Sequence, residues 1–423
     1  MGRDTAVQGF DGMIATIRRI GDAIARRMGT GEIDPGAFAE CAESALAAEP
    51  RLLAPDWCEL ARDLASAQAV RQDNSGFSDA PITLYRTPDF CIELLHWLHA
   101  TTSIHEHSFS GAFVVLAGSS LHTRYRVVLR DRFDDDLTLC HAETTGTEFL
   151  KAGSIRRIDE GSDGLVHSLY HLDSPTITLV LRTHAGRDQF GLIRPALWLN
   201  ELRLIGDGRL RAIERLIHAA ERGKIGYGHE VLRSVADRLS DAEWVFLLMR
   251  QLHRVTSLDE FDRLLCARQS SSTSLDAELR AAYPLAQVCD AVHSARASVA
   301  DPELRTLLAL LLNVSSRGEI LSLVERVRPG QDAAEVLAQW LVALSRFRGD
   351  PVQRLARLAA ASSADFRIGV ELKHALSVPV ADDELLQALA AVVSGRASAA
   401  ENPCAVELAS RLAAVPAMRA LLH

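Results

Sequence analysis

Apolar residues recur at intervals of three and four from the N-terminus to about residue 73. Phe10, Met13, Ile14, Ile17, Ile20 and Ile24 form one stripe on a helix. Asp34 followed by Pro35 reads as an N-cap with proline at the first helical position and opens a second helix; Ala54-Pro55-Asp56 opens a third. The polar, turn-forming stretch from Arg71 to Gly76 marks a boundary. From about 81 to 185 the period shortens to two, in short runs rich in β-branched and aromatic residues: FCIELLHWL, GAFVVLAG, TRYRVVL, LTLCHAE, GSIRRID and TITLVLRT. Gly111, Gly118, Gly146, Gly153, Gly161 and Gly164 punctuate them at spacings suited to a barrel or sandwich. After about residue 205 helix returns in roughly ten amphipathic segments. Capping boxes stand at Ser240–Glu243 and Ser257–Glu260, and Asp301-Pro302 and Asp350-Pro351, the latter after Gly349, open later helices. With no fixed-period consensus, these helices are expected to stack as a bundle or an irregular α-solenoid. The expected class is α+β and multidomain: a helical segment over 1–75, a β-barrel over 76–198 and an all-helical domain over 199–423.

Composition narrows the partners. The 423 residues carry 46 basic and 55 acidic side chains, a net charge of -9, and no basic cluster able to follow a phosphate backbone, so no nucleic-acid partner is expected. Seven scattered cysteines without a CxxC pair fit a reducing compartment. The N-terminal residues lack the apolar stretch of a signal peptide, and no run of about 18 apolar residues suggests a membrane span. The expectation is a soluble, cytoplasmic protein without a membrane partner.

The candidate chemistry lies in the β region. His105 and His107 are two apart, so on a strand both imidazoles would leave the same face while Glu106 points away. His167 follows a glycine turn sixty residues after His107, at the head of another apolar run, GLVHSLYHLDSPTITLVLRT. A sheet rolled into a barrel can bring the third nitrogen to the same wall. Three neutral imidazoles on one side of a metal leave the opposite positions open, the requirement for an oxygen-activating iron site.

The HxH pair, then Gly111, then VLAG ending at Gly118, and a distant GLxH before an apolar strand resemble the two metal-binding motifs of the cupin superfamily. Within it, WLHATTSIHEHSFSG looks most like the first motif of the cysteine dioxygenase-like thiol dioxygenases, over about 100 residues of this chain. That resemblance implies a cupin double-stranded β-helix, with His105, His107 and His167 as ligands of iron(II). It also implies no glutamate ligand after the HxH pair, and this sequence has none there. Arg86, in TLYRTPDFCIELLHW, matches the arginine that holds the substrate carboxylate, a role suited to a guanidinium fork.

Departures accompany the likeness. The family's Ser-His-Tyr set places His and Tyr on the strand after the third ligand, where this chain has Val180 and Arg182. The cross-linking cysteine of some members is replaced by Gly111 or Ala112, and His171 stands where many cupins have Asn. Tyr125, Tyr170 and His171 are the candidates to supply the missing hydrogen bonds. The expected function is a mononuclear iron(II) oxygenase acting with O2 on a small amino acid or thiol-bearing carboxylate. The alternatives are an oxygenase of specialised metabolism acting on a modified amino acid, a cupin–helical scaffold that binds a protein partner or a second copy through its helical domain, and an isomerase or hydrolase using zinc, manganese or nickel, since imidazoles alone do not fix the metal.

Overall fold

The computed structural model describes residues 12–53, 56–66, 70–72, 78, 81–98, 102–161, 163–186, 188–224, 226–255, 257–268, 272–347, 367–378, 380–396 and 402–422. Phe10, Ala54-Pro55 and the Gly349-Asp350-Pro351 junction lie outside them, as do Asp73 to Gly76 within the expected boundary. The chain divides into two compact units, one of Met1–Thr102, Glu106–Ser120 and Phe149–Arg187, the other of Ser103–His105, Leu121–Glu148 and Asp188–His423.

The helical N-terminus forms as its stripe requires. Helix α1 (Met13–Gly29) buries Met13, Ile14, Ile17, Ile20 and Ile24, and α2 (Phe38–Ala47) buries Phe38, Ala42 and Leu46. Asp56 caps α3 (Trp57–Leu64) by accepting from the N–H groups of Cys58 and Glu59.

Ten strands follow: β1 (Ile82–Arg86), β2 (Phe90–Trp97), β3 (Gly111–Ala117), β4 (Ser119–Asp134), β5 (Leu137–Lys151), β6 (Ile155–Ile158), β7 (Val166–His171), β8 (Thr176–Thr183), β9 (Phe190–Ile193) and β10 (Leu197–Asn200). They make two five-stranded sheets, ordered β1-β2-β8-β3-β6 and β7-β4-β5-β10-β9. After β3 the chain passes to the second sheet for β4 and β5, returns for β6, crosses for β7 and returns for β8. This interleaving is the topology of a double-stranded β-helix, the jelly roll that cupins share. The strands β9 and β10 carry the sheet structure to Asn200, whose side chain accepts from the N–H of Arg203 and starts the next helix.

In the first sheet, alternate residues serve two different cores. Phe90, Ile92, Leu94, Ala112, Val114, Leu116, Ile177, Leu179 and Leu181 pack with the apolar stripes of α1 and α2. The residues between them, including Leu95, Trp97, Phe113, Val115 and Val180, face the other way with Phe109, Leu150, Ile158 and Leu169. We call this second face the inner face.

From Glu201 onward the described residues hold twelve α-helices. The Ser240–Glu243 capping box forms with both bonds, Ser257 accepts from Glu260 N–H, and Asp301 caps a helix with Pro302 in its first turn. A core centred on Trp244, Phe246, Leu264 and Leu279 joins these helices to Leu137, Leu197 and Leu199. Among the described residues no helix is long and apolar enough to cross a membrane.

Candidate metal centre

The HxH pair lies outside the regular strands. Residues 102–110 run irregularly into β3, with His105 held by a single bridge to Gly191. The segment's backbone groups bond in part to strands, Thr102 to Leu169 on β7, Ile104 to Leu192 on β9 and Ser110 to Thr183 on β8, and in part to loops. Gly161, at φ +84°, donates its N–H to the His107 carbonyl at 2.9 Å, and Gly186 donates to the Ser108 carbonyl at 2.8 Å. His105 is therefore placed by its bridge to β9 and His107 by a loop anchor, not by the alternation of one regular strand, a correction to the simplest reading of the spacing. His167 is on β7, as its position before an apolar run predicts.

His105, His107 and His167 are all buried, and one ring nitrogen of each lies within 4.8 Å of the others. Among the described residues no carboxylate or thiol joins this group. His105 Nδ1 is 2.8 Å from the Ser103 carbonyl, which can only accept, so Nδ1 carries the proton and Nε2 presents its lone pair. Burial lowers the His105 pKa, favouring the neutral ring that a metal needs, while the Ser103 bond opposes this more weakly.

His107 Nε2 and His167 Nε2 are 3.0 Å apart, with their rings edge-on at 64°. Two imidazole nitrogens at about 2.1 Å from one metal stand about 3.0 Å apart at a right angle and about 3.4 Å apart at the tetrahedral angle. The spacing of this pair thus suits a metal that takes these two ligands at a right angle. The same 3.0 Å also suits an N–H···N bond between two neutral imidazoles, and metal analysis separates the two.

Around the histidines the inner face is aromatic and charged. Phe109 tilts against His107 with ring centres 4.8 Å apart, and Phe113 lies 6.4 Å from His167. Arg182 sits with its guanidinium 5.1 Å from the centre of the Phe109 ring and bonds Glu93 Oε2 through Nε at 3.0 Å and Nη2 at 2.8 Å. Sequence reading noted Arg182 only as a departure and missed Glu93. The available signal was one charged residue of each sign at an alternating position inside two otherwise apolar strand runs.

The other site candidates separate by position. Arg86 ends β1, exposed, in register with Cys91; Cys91 is in register with Arg182 on β8, so both arginines lie on one row and one face of the sheet. His171 stacks on Trp97 with ring centres 4.6 Å apart, and its Nδ1 is 2.9 Å from Ser120 Oγ. Strand alternation puts His171 on the His167 side of β7 and the buried Tyr170 on the opposite side. The half-buried Tyr125 has its hydroxyl 3.4 Å from Arg194 Nη2, and Arg194 also bonds the carbonyl of Leu312. Gly111 is required where it stands: a Cβ there would meet the Leu181 carbonyl at 2.2 Å, which leaves no room for a cross-linking cysteine.

No family model and no curated protein matches the chain. Among solved structures it is similar to a hydroquinone 1,2-dioxygenase from Sphingomonas sp. TTNP3 with 4-hydroxybenzoate bound, at 12% identity and TM-score 0.20, over 27% of this chain and 70% of that one. It is also similar to an uncharacterized conserved protein with a double-stranded β-helix domain from Klebsiella pneumoniae subsp. pneumoniae MGH 78578, at 17% identity and TM-score 0.18, over 29% of this chain and 89% of that one. Likeness at this level says nothing of activity. The fold class rests on the strand order itself.

Proposed function

We propose that this protein is a mononuclear non-heme iron(II) oxygenase that oxidises a small thiol-bearing or amino-acid carboxylate with O2. The observation that carries the reading is the convergence of three buried imidazoles without a carboxylate. His105, His107 and His167 would hold the metal, and iron(II) bound there would supply the activation of O2 that a closed-shell side chain cannot.

The protein's own residues would do the rest. Arg86, at the rim of the inner face, would draw in the substrate carboxylate. His171, held between Trp97 and Ser120, is the member of the Tyr125, Tyr170 and His171 set that shares the His167 side of its strand, and would orient substrate or move a proton there. Phe109 and Phe113 would exclude water from the histidines.

Metal analysis of protein purified anaerobically tests the reading, with His107→Ala and His167→Ala as controls and O2 uptake recorded against cysteine, other small thiols and, as a non-thiol arm, hydroquinone. The expected result is near-stoichiometric iron, lost in both variants, with thiol-dependent O2 uptake. Iron with uptake only on another substrate would move the protein to a different oxygenase chemistry. A wild type that stays metal-free after reconstitution with iron(II) would sink the enzyme reading and leave a scaffold for a protein partner.

A further inference from the structure

We infer that Arg182 is a positioning residue for His107: clamped by Glu93, its guanidinium holds the Phe109 ring, and that ring holds the imidazole in the orientation a metal needs. The inference deepens the oxygenase reading and rests on it for the role of His107 as a ligand.

Arg182 and Glu93 are 8% and 2% exposed, on the adjacent strands β8 and β2. A buried ion pair is poor evidence of stability, because apolar residues of similar volume would serve folding as well. Its geometry is that of a clamp. Nε and Nη2 both donate to one oxygen, Glu93 Oε2, at 3.0 and 2.8 Å, and Nη1 donates to the Thr183 carbonyl at 3.2 Å. All three nitrogens of the guanidinium are thereby directed at acceptors held by the sheet, which sets both the position and the tilt of its plane.

The fixed plane lies against Phe109, with the guanidinium carbon 5.1 Å from the ring centre. That is within the distance at which a guanidinium packs on an aromatic face, and the contact needs no net charge on the ion pair, since dispersion and the adjacent cation act at short range. Phe109 in turn tilts at 56° against His107, ring centres 4.8 Å apart. Glu93, Arg182, Phe109 and His107 thus form an unbroken row of contacts, and every member is more than nine-tenths buried.

The backbone makes such a support necessary. His107 and Phe109 precede β3 in the irregular segment 102–110, so the alternation of a regular strand does not set where these two rings point. His105 in the same segment is turned by a hydrogen bond, from Nδ1 to the Ser103 carbonyl at 2.8 Å. His107 has aromatic contacts instead, with Phe109 and with the His167 ring. Metal-binding imidazoles depend on the groups that orient them, and loss of one such group commonly costs about 10- to 100-fold in metal affinity. A rigid cation behind Phe109 supplies that orientation through packing.

NMR of the full chain, metal-free and labelled at histidine, tests this without requiring turnover, because the ring current of Phe109 displaces the carbon-bound protons of His107. The neutral pair Glu93→Gln/Arg182→Gln, which leaves no uncompensated buried charge, is expected to shift and broaden the His107 resonances toward their positions in Phe109→Leu. Cobalt(II), a spectroscopic stand-in for iron(II), is expected to pass to a chelator about tenfold faster or more from both variants than from wild type, per folded molecule. A pair that served stability alone would lower the urea midpoint and leave both readouts as in wild type. Unmoved His107 resonances in the double variant would overturn the inference, as would wild-type cobalt release. Should the double variant not fold, Arg182→Lys decides: it keeps a cation for Glu93 but not the planar fork, and is expected to move the His107 resonances in the same direction. A wild type that binds neither metal ends the oxygenase reading, whereas the histidine resonances still decide whether Arg182 positions His107.

Discussion

The two faces of the first sheet are built from alternate residues of the same strands and obey different rules. On β2, β3 and β8 the well-buried outer positions are Phe90, Ile92, Leu94, Ala112, Val114, Leu116, Ile177, Leu179 and Leu181, every one apolar and packed with the N-terminal helices, with the half-buried His96 and Thr183 toward the strand ends. The inner positions of those strands include Glu93, Trp97, Thr176, Thr178 and Arg182, nearly as well buried. Burial alone does not distinguish the faces. The outer face is what folding selects for, since each aliphatic group removed from water stabilises the fold at little cost. The inner face has groups that are expensive to bury and must be satisfied one by one, as Glu93 is by Arg182, His171 by Ser120, and the Trp97 indole N–H by Thr178 Oγ1 at 3.2 Å. Polar groups maintained at that cost point to the face where the chemistry is.

The contrast can be broken most forcefully at the charge pair. Arg182→Leu strands the Glu93 carboxylate in the interior and is expected to cost about 3–5 kcal/mol of stability. Adding Glu93→Leu should restore most of that loss, because nothing in the fold needs the charges. Urea unfolding of the two variants decides; a double variant no more stable than the single would mean that the pair is structural after all. On the outer face the expectation reverses. Leu179→Ala removes a fully buried side chain between β8 and the helices and is expected to cost about 3 kcal/mol, with no polar partner whose removal compensates. Iron bound per folded molecule should not change in Leu179→Ala; a metal loss larger than the folding loss would erase the distinction between the faces.

Legibility in the sequence follows the same division. The outer face was readable because period-two runs such as TITLVLRT announce a strand, and the helical stripe of α1 announces its cover. His105 and His107 were visible through their spacing, although irregular backbone rather than a strand sets their rings; His167 followed from the second motif. The Glu93–Arg182 pair was not readable, because it needs the pairing of β2 with β8, residues 89 positions apart. Sequence periodicity carries no information on which strands become neighbours. The strands β9 and β10 escaped for another reason: four residues each, FGLI and LWLN, are too short for alternation to declare itself.

A smaller effect is expected at Ser120, whose hydroxyl meets His171 in a fully buried setting. Ser120→Ala is expected to cost about 1 kcal/mol in urea unfolding and to leave iron content unchanged. In the oxygenase reading it also releases the His171 ring, so turnover should fall further than stability does. An Ala variant with wild-type turnover would remove His171 from the candidates for proton handling.

The smallest effect lies on the outer side, at the polar tip of Tyr85. The Tyr85 ring lies so close to α1 that a Cβ at Gly21 would meet it at 2.5 Å, and its hydroxyl donates to Asp22 Oδ1 at 2.9 Å. Burial first, and then the Asp22 bond and charge, push the phenol up to about 12 from its ordinary value of 10.0. The folded protein therefore holds this proton through a range in which the unfolded chain has already lost it. Stability from the bond is present in full below pH 10 and is lost as pH rises through 12. Because the contact is only partly shielded from water, its worth at neutral pH should be under about 1 kcal/mol. Tyr85→Phe should lower the urea midpoint slightly at pH 8, and the gap to wild type should shrink steadily above pH 10. A gap that stays constant to pH 12 would show that the phenol titrates alike in both states and would remove the Tyr85–Asp22 contact from the pH dependence of the fold.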